Sequence, residues 1–199
     1  MTFQFVTKIN LPSPPAELIE SAVRIMQNNN NTLDSNDFTA GQSPAESILV
    51  GNEIKNYGEH YFVVLPEQHQ LWAKENIGPF LDNRTLKVGM TTRGDLWPHQ
   101  DYQHNWSLNY VIDPGGTSVE TYWAQEQGCS LIPEKRKSLS YWRLRTDLNL
   151  VHVEIIPVGQ WVVIPTHIVH GTKGQTSDRI SITVGIDEHI KELLFENKI

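Results

Sequence analysis

The C-terminal two-thirds of the sequence is a series of short apolar runs separated by turn residues. Seven runs with the alternation or β-branched content of strands follow residue 84, at 86–90, 106–112, 118–124, 138–144, 151–156, 160–164 and 180–186. Between them lie segments rich in glycine and proline, such as those at 113–116 and 157–159. Short strands at this spacing are typical of an antiparallel sandwich or barrel. The sequence therefore predicts a mainly β domain over its C-terminal part.

The first 84 residues have a different character. Ser13 and two prolines precede a stretch in which apolar residues recur at helical spacing up to Met26, which predicts a helix. A polar loop is expected at 31–44, a short strand at 61–65, and a helix at 66–76. We therefore expect three parts: a mixed, partly helical extension packed on the barrel (1–84), the β core (85–187) and a short helical tail (188–199).

Composition excludes several classes of protein. The 199 residues include 16 Lys and Arg against 23 Asp and Glu, a net charge of −7, so general binding to nucleic acid or to an anionic membrane is not expected. The single cysteine, Cys129, excludes an internal disulfide and a multi-thiolate zinc site. No segment approaches the roughly 18 apolar residues of a membrane span, and the N-terminus lacks the features of a secretory signal. We expect a cytoplasmic protein.

Metal chemistry is suggested by a histidine and an aspartate two residues apart. In an extended segment His99 and Asp101 lie on the same face, so an imidazole and a carboxylate can reach one ion. A third ligand from a distant strand would complete the facial arrangement that Fe(II) uses, with three positions left open. His167 and His170 are both candidates, and because they are three residues apart, a regular strand would point them to opposite faces.

A basic side chain and a hydroxyl follow in the last predicted strand. Arg179 and Ser181 share a face, and a hairpin after His170 can bring the guanidinium to the same inner wall as the metal. The guanidinium fork donates two charge-assisted hydrogen bonds to a carboxylate, each contributing about 1.5–3 kcal/mol. This pair therefore predicts a binding site for an organic acid beside the metal.

Together, His99-Gln100-Asp101, His170 and Arg179-Ile180-Ser181 resemble the HxD…H…RxS pattern of the Fe(II)/2-oxoglutarate-dependent oxygenases. The resemblance covers roughly 88–186 and implies a double-stranded β-helix, the jelly-roll or cupin-like fold. It further implies that His99, Asp101 and His170 bind Fe(II), and that Arg179 with Ser181 binds the distal carboxylate of 2-oxoglutarate. The implied enzyme is an oxygenase of the hydroxylase type. It would couple O2-dependent decarboxylation of 2-oxoglutarate to oxidation of a C–H bond.

Other residues are expected around this centre. Members of the family often place a Tyr, Asn or Thr against the cosubstrate, and the candidates here are Asn109, Tyr110 and Thr121. A substrate mouth is expected from the residues near the first metal motif, which are Arg93, Trp97, Tyr102 and Trp106. The small size of the chain favours a small-molecule or peptide substrate, and the helical N-terminus is compatible with a homodimer.

Two other interpretations of the same residues stay open. A cupin-like metal enzyme that does not use 2-oxoglutarate would have the same three ligands, with Arg179 paired to a structural carboxylate such as Asp101 or Glu154. A non-catalytic jelly-roll binding module would keep the barrel without turnover. The surroundings of Arg179 distinguish the first of these from an oxygenase.

Overall fold

The computed structural model describes residues 4–29, 48–50, 53–55, 60–78, 86–91, 94–96, 98–101, 104–126, 140–141 and 148–196. The predicted loop at 31–44 and most of the predicted strand at 138–144 lie outside these residues. The helices are α1 (Ala16–Asn29), α2 (Glu67–Asn76) and α3 (Glu188–Phe195). The strands are β1 (Thr7–Lys8), β2 (Ile48–Val50), β3 (Glu53–Lys55), β4 (His60–Val64), β5 (Lys87–Thr91), β6 (His99–Gln100), β7 (Trp106–Asp113), β8 (Glu120–Glu126), β9 (Ser140–Tyr141), β10 (Leu148–Glu154), β11 (Trp161–Pro165), β12 (Val169–Lys173) and β13 (Arg179–Ile186).

The strands form two facing antiparallel sheets. One has six strands in the order β1-β11-β7-β13-β5-β4, and the other has five in the order β10-β8-β12-β6-β9. β2 and β3 pair only with each other among the described strands. Non-consecutive strands are neighbours in both sheets, so the chain crosses repeatedly from one sheet to the other, as in a jelly roll. The predicted fold class, a mainly β jelly roll of cupin-like type with N-terminal helices, is confirmed.

Alternation along the strands of the six-stranded sheet separates a helix-covered face from an inner face. In β13, Ile180, Ile182, Val184 and Ile186 are buried against the helices. The intervening side chains, beginning with Arg179, point between the sheets because successive side chains of a strand alternate sides. The same strand therefore contributes to the core on one face and to a cavity on the other.

The helices bury the outer face of this sheet. In α1, Leu18, Ala22 and Met26 lie one turn apart and are buried. In α3, Ile190 and Leu194 are buried in the same way. Four of these five side chains, all but Leu18, join the side chains of β5, β7, β11 and β13 in one apolar cluster. Part of the predicted extension thus packs on the sheet, and two strands from before residue 85 also belong to it, since β1 pairs with β11 and β4 with β5.

Apolar side chains fill one part of the space between the sheets. This inner cluster contains Val6, Val111, Trp123, Ile156, Val162, Ile164 and Ile168. The indole of Trp123 is fully buried, and its Nε1 donates to the carbonyl of Pro165 at 3.0 Å, which joins the two sheets. A cavity with several polar side chains adjoins this cluster and shares Val111, Ile156 and Ile164 with it. The inner cluster therefore forms one wall of that cavity.

No helix in the described ranges is long and apolar enough to cross a lipid bilayer.

Candidate metal centre

Two remote segments bring three potential metal ligands together. His99 in β6 is paired in register with His170 in β12, and their ring centroids are 4.3 Å apart. Asp101 follows β6 and is fixed by its backbone N–H, which donates to the carbonyl of Thr166 at 2.9 Å. One ligand atom from each of the three side chains lies within 4.8 Å of the others. The predicted triad is therefore one compact group of two imidazoles and a carboxylate.

Of the two candidate distal histidines, the structure places His170 in this group. His167 lies before β12, and its Nδ1 donates to the carbonyl of Asn105 at 2.8 Å. Its ring meets the indole of Trp106 edge-on, with centroids 5.4 Å apart. His167 is thus directed away from His99 and Asp101.

The imidazole of His170 is prepared to act as a ligand through Nε2. Its Nδ1–H donates to the carbonyl of Ile168 at 2.9 Å, which leaves the lone pair of Nε2 available. Burial, together with the neighbouring charge of His99, lowers the pKa of His170 to about 4, although Asp101 acts in the opposite direction. At neutral pH the ring is therefore uncharged, the form that binds metal.

Asp101 is present as a carboxylate for a different reason. Burial alone would raise its pKa, but the hydrogen bond from His104 and the charges of His170 and His99 outweigh burial and hold the pKa well below its ordinary value. His104 Nε2 donates to Oδ2 at 3.0 Å, and Oδ1 lies 3.8 Å from Nε2 of His99. Two imidazole nitrogens and one carboxylate oxygen suit a divalent first-row metal such as Fe(II).

The triad opens on a cavity to which both sheets contribute polar side chains. Phe62 and a few aliphatic side chains line part of it, and Arg179 lies in its wall together with the triad. Its uncharged polar lining consists of Thr91, Ser107, Asn109, Thr121, Thr166, Thr172, Ser181 and Thr183. Hydroxyls and amides of this kind orient a small polar ligand without adding charge. The cavity therefore offers one metal site and one cationic anchor.

Arg179 is a buried cation with little direct compensation. Its residue is 9% exposed, and Nη1 donates to the carbonyl of Pro114 at 3.4 Å. Burial lowers its pKa to about 10, with the charge of Asp113 acting in the opposite direction, so it remains charged at neutral pH. No carboxylate oxygen of the described residues lies within 4.0 Å of the guanidinium. An anion that enters the cavity can supply the missing partner.

The turn between β7 and β8 packs closely against the Cβ atom of Arg179. Gly115 has a φ of +78°, and a Cβ added there would lie 2.8 Å from Gln175 Cγ, 2.8 Å from the carbonyl oxygen of Ser177 and 3.1 Å from Arg179 Cβ. The backbone N–H of Gly115 donates to Asp113 Oδ1 at 2.8 Å, which stabilises this turn. Glycine is thus required here both by backbone conformation and by close packing.

Of the residues predicted to contact a cosubstrate, all but Tyr110 lie in the wall of the cavity. Asn109 and Thr121 line the cavity together with Arg179 and Ser181. Tyr110 does not: it lies in the apolar cluster on the outer face, with its ring 5.2 Å from that of Trp161. Neighbouring residues of a strand point to opposite faces, so the expectation for Tyr110 is corrected while Asn109 stays a candidate.

The predicted substrate mouth is described only at Trp106, and there the expectation is also corrected. Trp106 is buried on the outer face, its Nε1 donates to Glu188, and the ammonium of Lys191 lies 4.4 Å from the ring centroid. It therefore holds α3 against the sheet. The other three residues predicted for the mouth, Arg93, Trp97 and Tyr102, lie outside the described residues.

The sequence alone leaves His104 as either a donor behind the metal ligands or an exposed side chain, with exposure favoured, and the structure shows that it contacts Asp101. Its position three residues after Asp101 is a weak signal, because the segment between them is not part of a described strand or helix. Only the folded structure brings Nε2 of this ring to the carboxylate.

Comparison with known proteins gives structural neighbours only. No protein-family model matches the chain, and no curated protein matches it significantly. The non-heme alpha ketoglutarate dependent epimerase SnoN from nogalamycin biosynthesis is 11% identical, with a TM-score of 0.46 over 90% of this chain and 76% of that chain. A Pseudomonas putida prolyl-4-hydroxylase is 12% identical, with a TM-score of 0.44 over 90% of both chains. A cupin-like protein from Thermotoga maritima is 12% identical, with a TM-score of 0.34 over 68% of this chain and 78% of that chain. Similarity at this level carries no argument about activity.

Proposed function

We propose that this chain is an Fe(II)- and 2-oxoglutarate-dependent oxygenase that oxidises a C–H bond of a small molecule or peptide. The observation that carries the proposal is the shared cavity of the His99, Asp101 and His170 triad and Arg179. A metal triad alone fits many reactions. A buried guanidinium without a carboxylate partner among the described residues, in the same cavity, favours a negatively charged cosubstrate bound beside the metal.

The three ligands would hold Fe(II) on one side. His99 and His170 would each contribute an imidazole nitrogen, and Asp101 would contribute a carboxylate oxygen. Such a set would leave coordination positions available to the cosubstrate and to O2. When bound, the iron and 2-oxoglutarate supply the oxidative decarboxylation to succinate and CO2 that drives C–H oxidation. The role of the protein is to position these reactants.

The far end of the cosubstrate would be bound by β13. Arg179 would donate to the distal carboxylate of 2-oxoglutarate, and the hydroxyl of Ser181, two residues along the same face, would add a further hydrogen bond. Asn109 and Thr121 lie in the walls of the same cavity and would contact the bound diacid from opposite sheets. Because Arg179 stays charged at neutral pH, it needs no proton transfer to bind a dianion.

The test is O2-dependent succinate formation from 2-oxoglutarate by the Fe(II)-loaded chain, screened against amino acids, small metabolites and peptides. We expect one class of compound to raise succinate formation above the rate without substrate, and Asp101→Ala to abolish that increase. Glu154→Ala is the matched control, because Glu154, like Asp101, accepts a hydrogen bond from a histidine, His152, at 3.0 Å but does not line the cavity. Metal-loaded protein that never forms succinate would overturn the proposal.

The structure does not favour a cupin-like metal enzyme that works without 2-oxoglutarate. That interpretation needs a structural carboxylate for Arg179, and the two candidates are engaged elsewhere: Asp101 accepts from His104, and Glu154 accepts from His152. A non-catalytic module gains no support either, because the three ligands are all present and grouped.

A further inference from the structure

We propose that His104 is a positioning residue that fixes Asp101 as a one-oxygen metal ligand, and that Gly185 must be glycine to make room for the His104 ring. This inference deepens the proposed function and rests on the metal site named there. It concerns how the site is built, and it is measurable from metal affinity without any turnover.

The hydrogen bond from His104 assigns different tasks to the two oxygens of Asp101. Nε2–H of His104 donates to Oδ2 at 3.0 Å, while Oδ1 is the oxygen near Nε2 of His99, at 3.8 Å. A free carboxylate can rotate and can bind a metal through either oxygen or both. With Oδ2 occupied by a donor, Oδ1 is directed toward the two imidazoles. Partners of this kind orient metal ligands and are worth roughly ten- to a hundredfold in metal affinity.

Thr166, in the opposite segment, hydrogen-bonds to the backbone on both sides of the metal ligand and its donor. Thr166 donates from its Oγ1 to the carbonyl of His104 at 3.3 Å and from its N–H to the carbonyl of Asn105 at 2.9 Å. The carbonyl of Thr166 in turn accepts from the N–H of Asp101 at 2.9 Å. The ligand and its hydrogen-bond donor are therefore anchored to the same point, which sets the distance between them.

Gly185 provides the space that the ring occupies. A Cβ added to Gly185 would lie 2.3 Å from Nδ1 of His104, 2.4 Å from Cγ and 2.5 Å from Cε1. These contacts are far inside van der Waals separation, so the ring would have to leave its position. Gly185 lies on β13 on the same face as Arg179 and Ser181, because alternate residues of a strand share a face. A glycine on that inner face thus allows a histidine from another segment to pack against the strand.

The test measures Mn(II) affinity by the electron paramagnetic resonance of free Mn(II), using the full chain without 2-oxoglutarate. We expect His104→Ala to weaken Mn(II) binding by roughly ten- to a hundredfold. His104→Gln, whose amide nitrogen can still donate to Oδ2, should restore affinity to within about threefold of the wild type. His152→Ala, which removes a histidine–carboxylate hydrogen bond outside the cavity, should leave affinity unchanged.

Gly185→Ala supplies an independent test, since it displaces the ring without changing it. We expect it to weaken Mn(II) binding to the same degree as His104→Ala. In the His104→Ala background the added methyl has no ring to displace, so Gly185→Ala should cause no further loss, a non-additivity that reports direct coupling. Circular dichroism and thermal unfolding without metal verify that each variant is folded, and His104→Gln keeps the test decisive if a smaller side chain prevents folding.

Each outcome decides between the proposals. Wild-type affinity in His104→Ala, or failure of His104→Gln to restore affinity, overturns the positioning role while leaving the oxygenase proposal intact. The expected affinities without any succinate formation overturn the oxygenase proposal and leave the positioning role intact. A wild-type chain that does not bind Mn(II) overturns both.

Discussion

Arg179 shows most clearly how a single side chain limits what the cavity can bind. A guanidinium buried in protein needs hydrogen-bond acceptors and opposite charge to offset its lost hydration. Here the described surroundings give it the carbonyl of Pro114 and the more distant charge of Asp113. The remaining donors suit a carboxylate that enters the cavity. The burial of this one side chain therefore favours a ligand with a free acid group.

Replacing that side chain should separate cosubstrate binding from metal binding. We expect Arg179→Ala to raise the dissociation constant of 2-oxoglutarate at least roughly a hundredfold in Mn(II)-loaded protein, because two charge-assisted hydrogen bonds of about 1.5–3 kcal/mol each are lost. Mn(II) affinity should change by less than about threefold. Isothermal titration calorimetry measures both constants.

The matched control is Lys173→Ala. Lys173 is also a cation on an inner strand, β12, but it pairs with Glu120 at 2.8 Å and does not line the cavity. We expect this variant to bind 2-oxoglutarate as the wild type does. If both substitutions weakened binding equally, the effect would come from net charge and the specific role of Arg179 would be wrong.

At the scale of elements, the turn after β7 connects backbone conformation to the site. Gly115 and Gly159 both occupy turns with positive φ, at +78° and +70°. They differ in their surroundings, since a Cβ on Gly115 would meet three atoms at 2.8–3.1 Å, while a Cβ on Gly159 would meet only the hydroxyl of Tyr110, at 3.8 Å. The two glycines therefore allow the cost of a left-handed backbone to be measured with and without close packing around the added Cβ.

We expect Gly159→Ala to lower the free energy of unfolding by about 1 kcal/mol, the cost of a left-handed backbone for a residue with a Cβ. Gly115→Ala should lower it by about 1–3 kcal/mol more, because it also overpacks its site. Since one crowded atom is Arg179 Cβ, Gly115→Ala should weaken 2-oxoglutarate binding as well. Urea unfolding and calorimetry measure these effects, and equal destabilisation of the two variants would contradict the packing described here.

On the scale of the whole molecule, the helices and the six-stranded sheet share one core. Side chains of α1, α2 and α3 lie in the same apolar cluster as those of β5, β7, β11 and β13. Met26 of α1 is 1% exposed within it. A shared core predicts that the helices and the barrel unfold together and not as separate units.

We expect Met26→Ala to lower the free energy of unfolding by about 2–5 kcal/mol. The transitions followed by far-ultraviolet circular dichroism and by tryptophan fluorescence should shift together and stay coincident. Arg24→Ala, on the exposed side of the same helix, should shift neither by more than about 0.5 kcal/mol. Separate transitions for the two probes would show that α1 is not part of the cooperative unit.

Much of this architecture was predictable from alternation in the sequence. The strands β7, β11 and β13 carry regular apolar positions, and the structure places their ends within one residue of the predicted ends. Alternation could also have excluded Tyr110 from the residues that contact the cosubstrate. Tyr110 lies on the same strand face as the apolar Trp106 and Leu108, whereas Asn109 lies on the same face as Ser107. Periodicity thus decides which face a side chain takes once the strand is known.

Short strands and long-range contacts were not predictable in this way. β6 has two residues, and β12 runs Val-His-Gly-Thr-Lys without apolar alternation, so each becomes a strand only through pairing with its neighbours. The fit of His104 against Gly185 joins segments that are remote in the sequence. Local pattern contains no information about such a contact, which depends on how the sheets are packed.

The most direct test of the central claim is anaerobic visible absorption of the Fe(II)-loaded protein during titration with 2-oxoglutarate. We expect a weak charge-transfer band that appears as 2-oxoglutarate binds, is absent in Asp101→Ala, and needs far more 2-oxoglutarate in Arg179→Ala. The absence of a band from wild-type protein that has bound Fe(II), or an identical titration in Arg179→Ala, would contradict it.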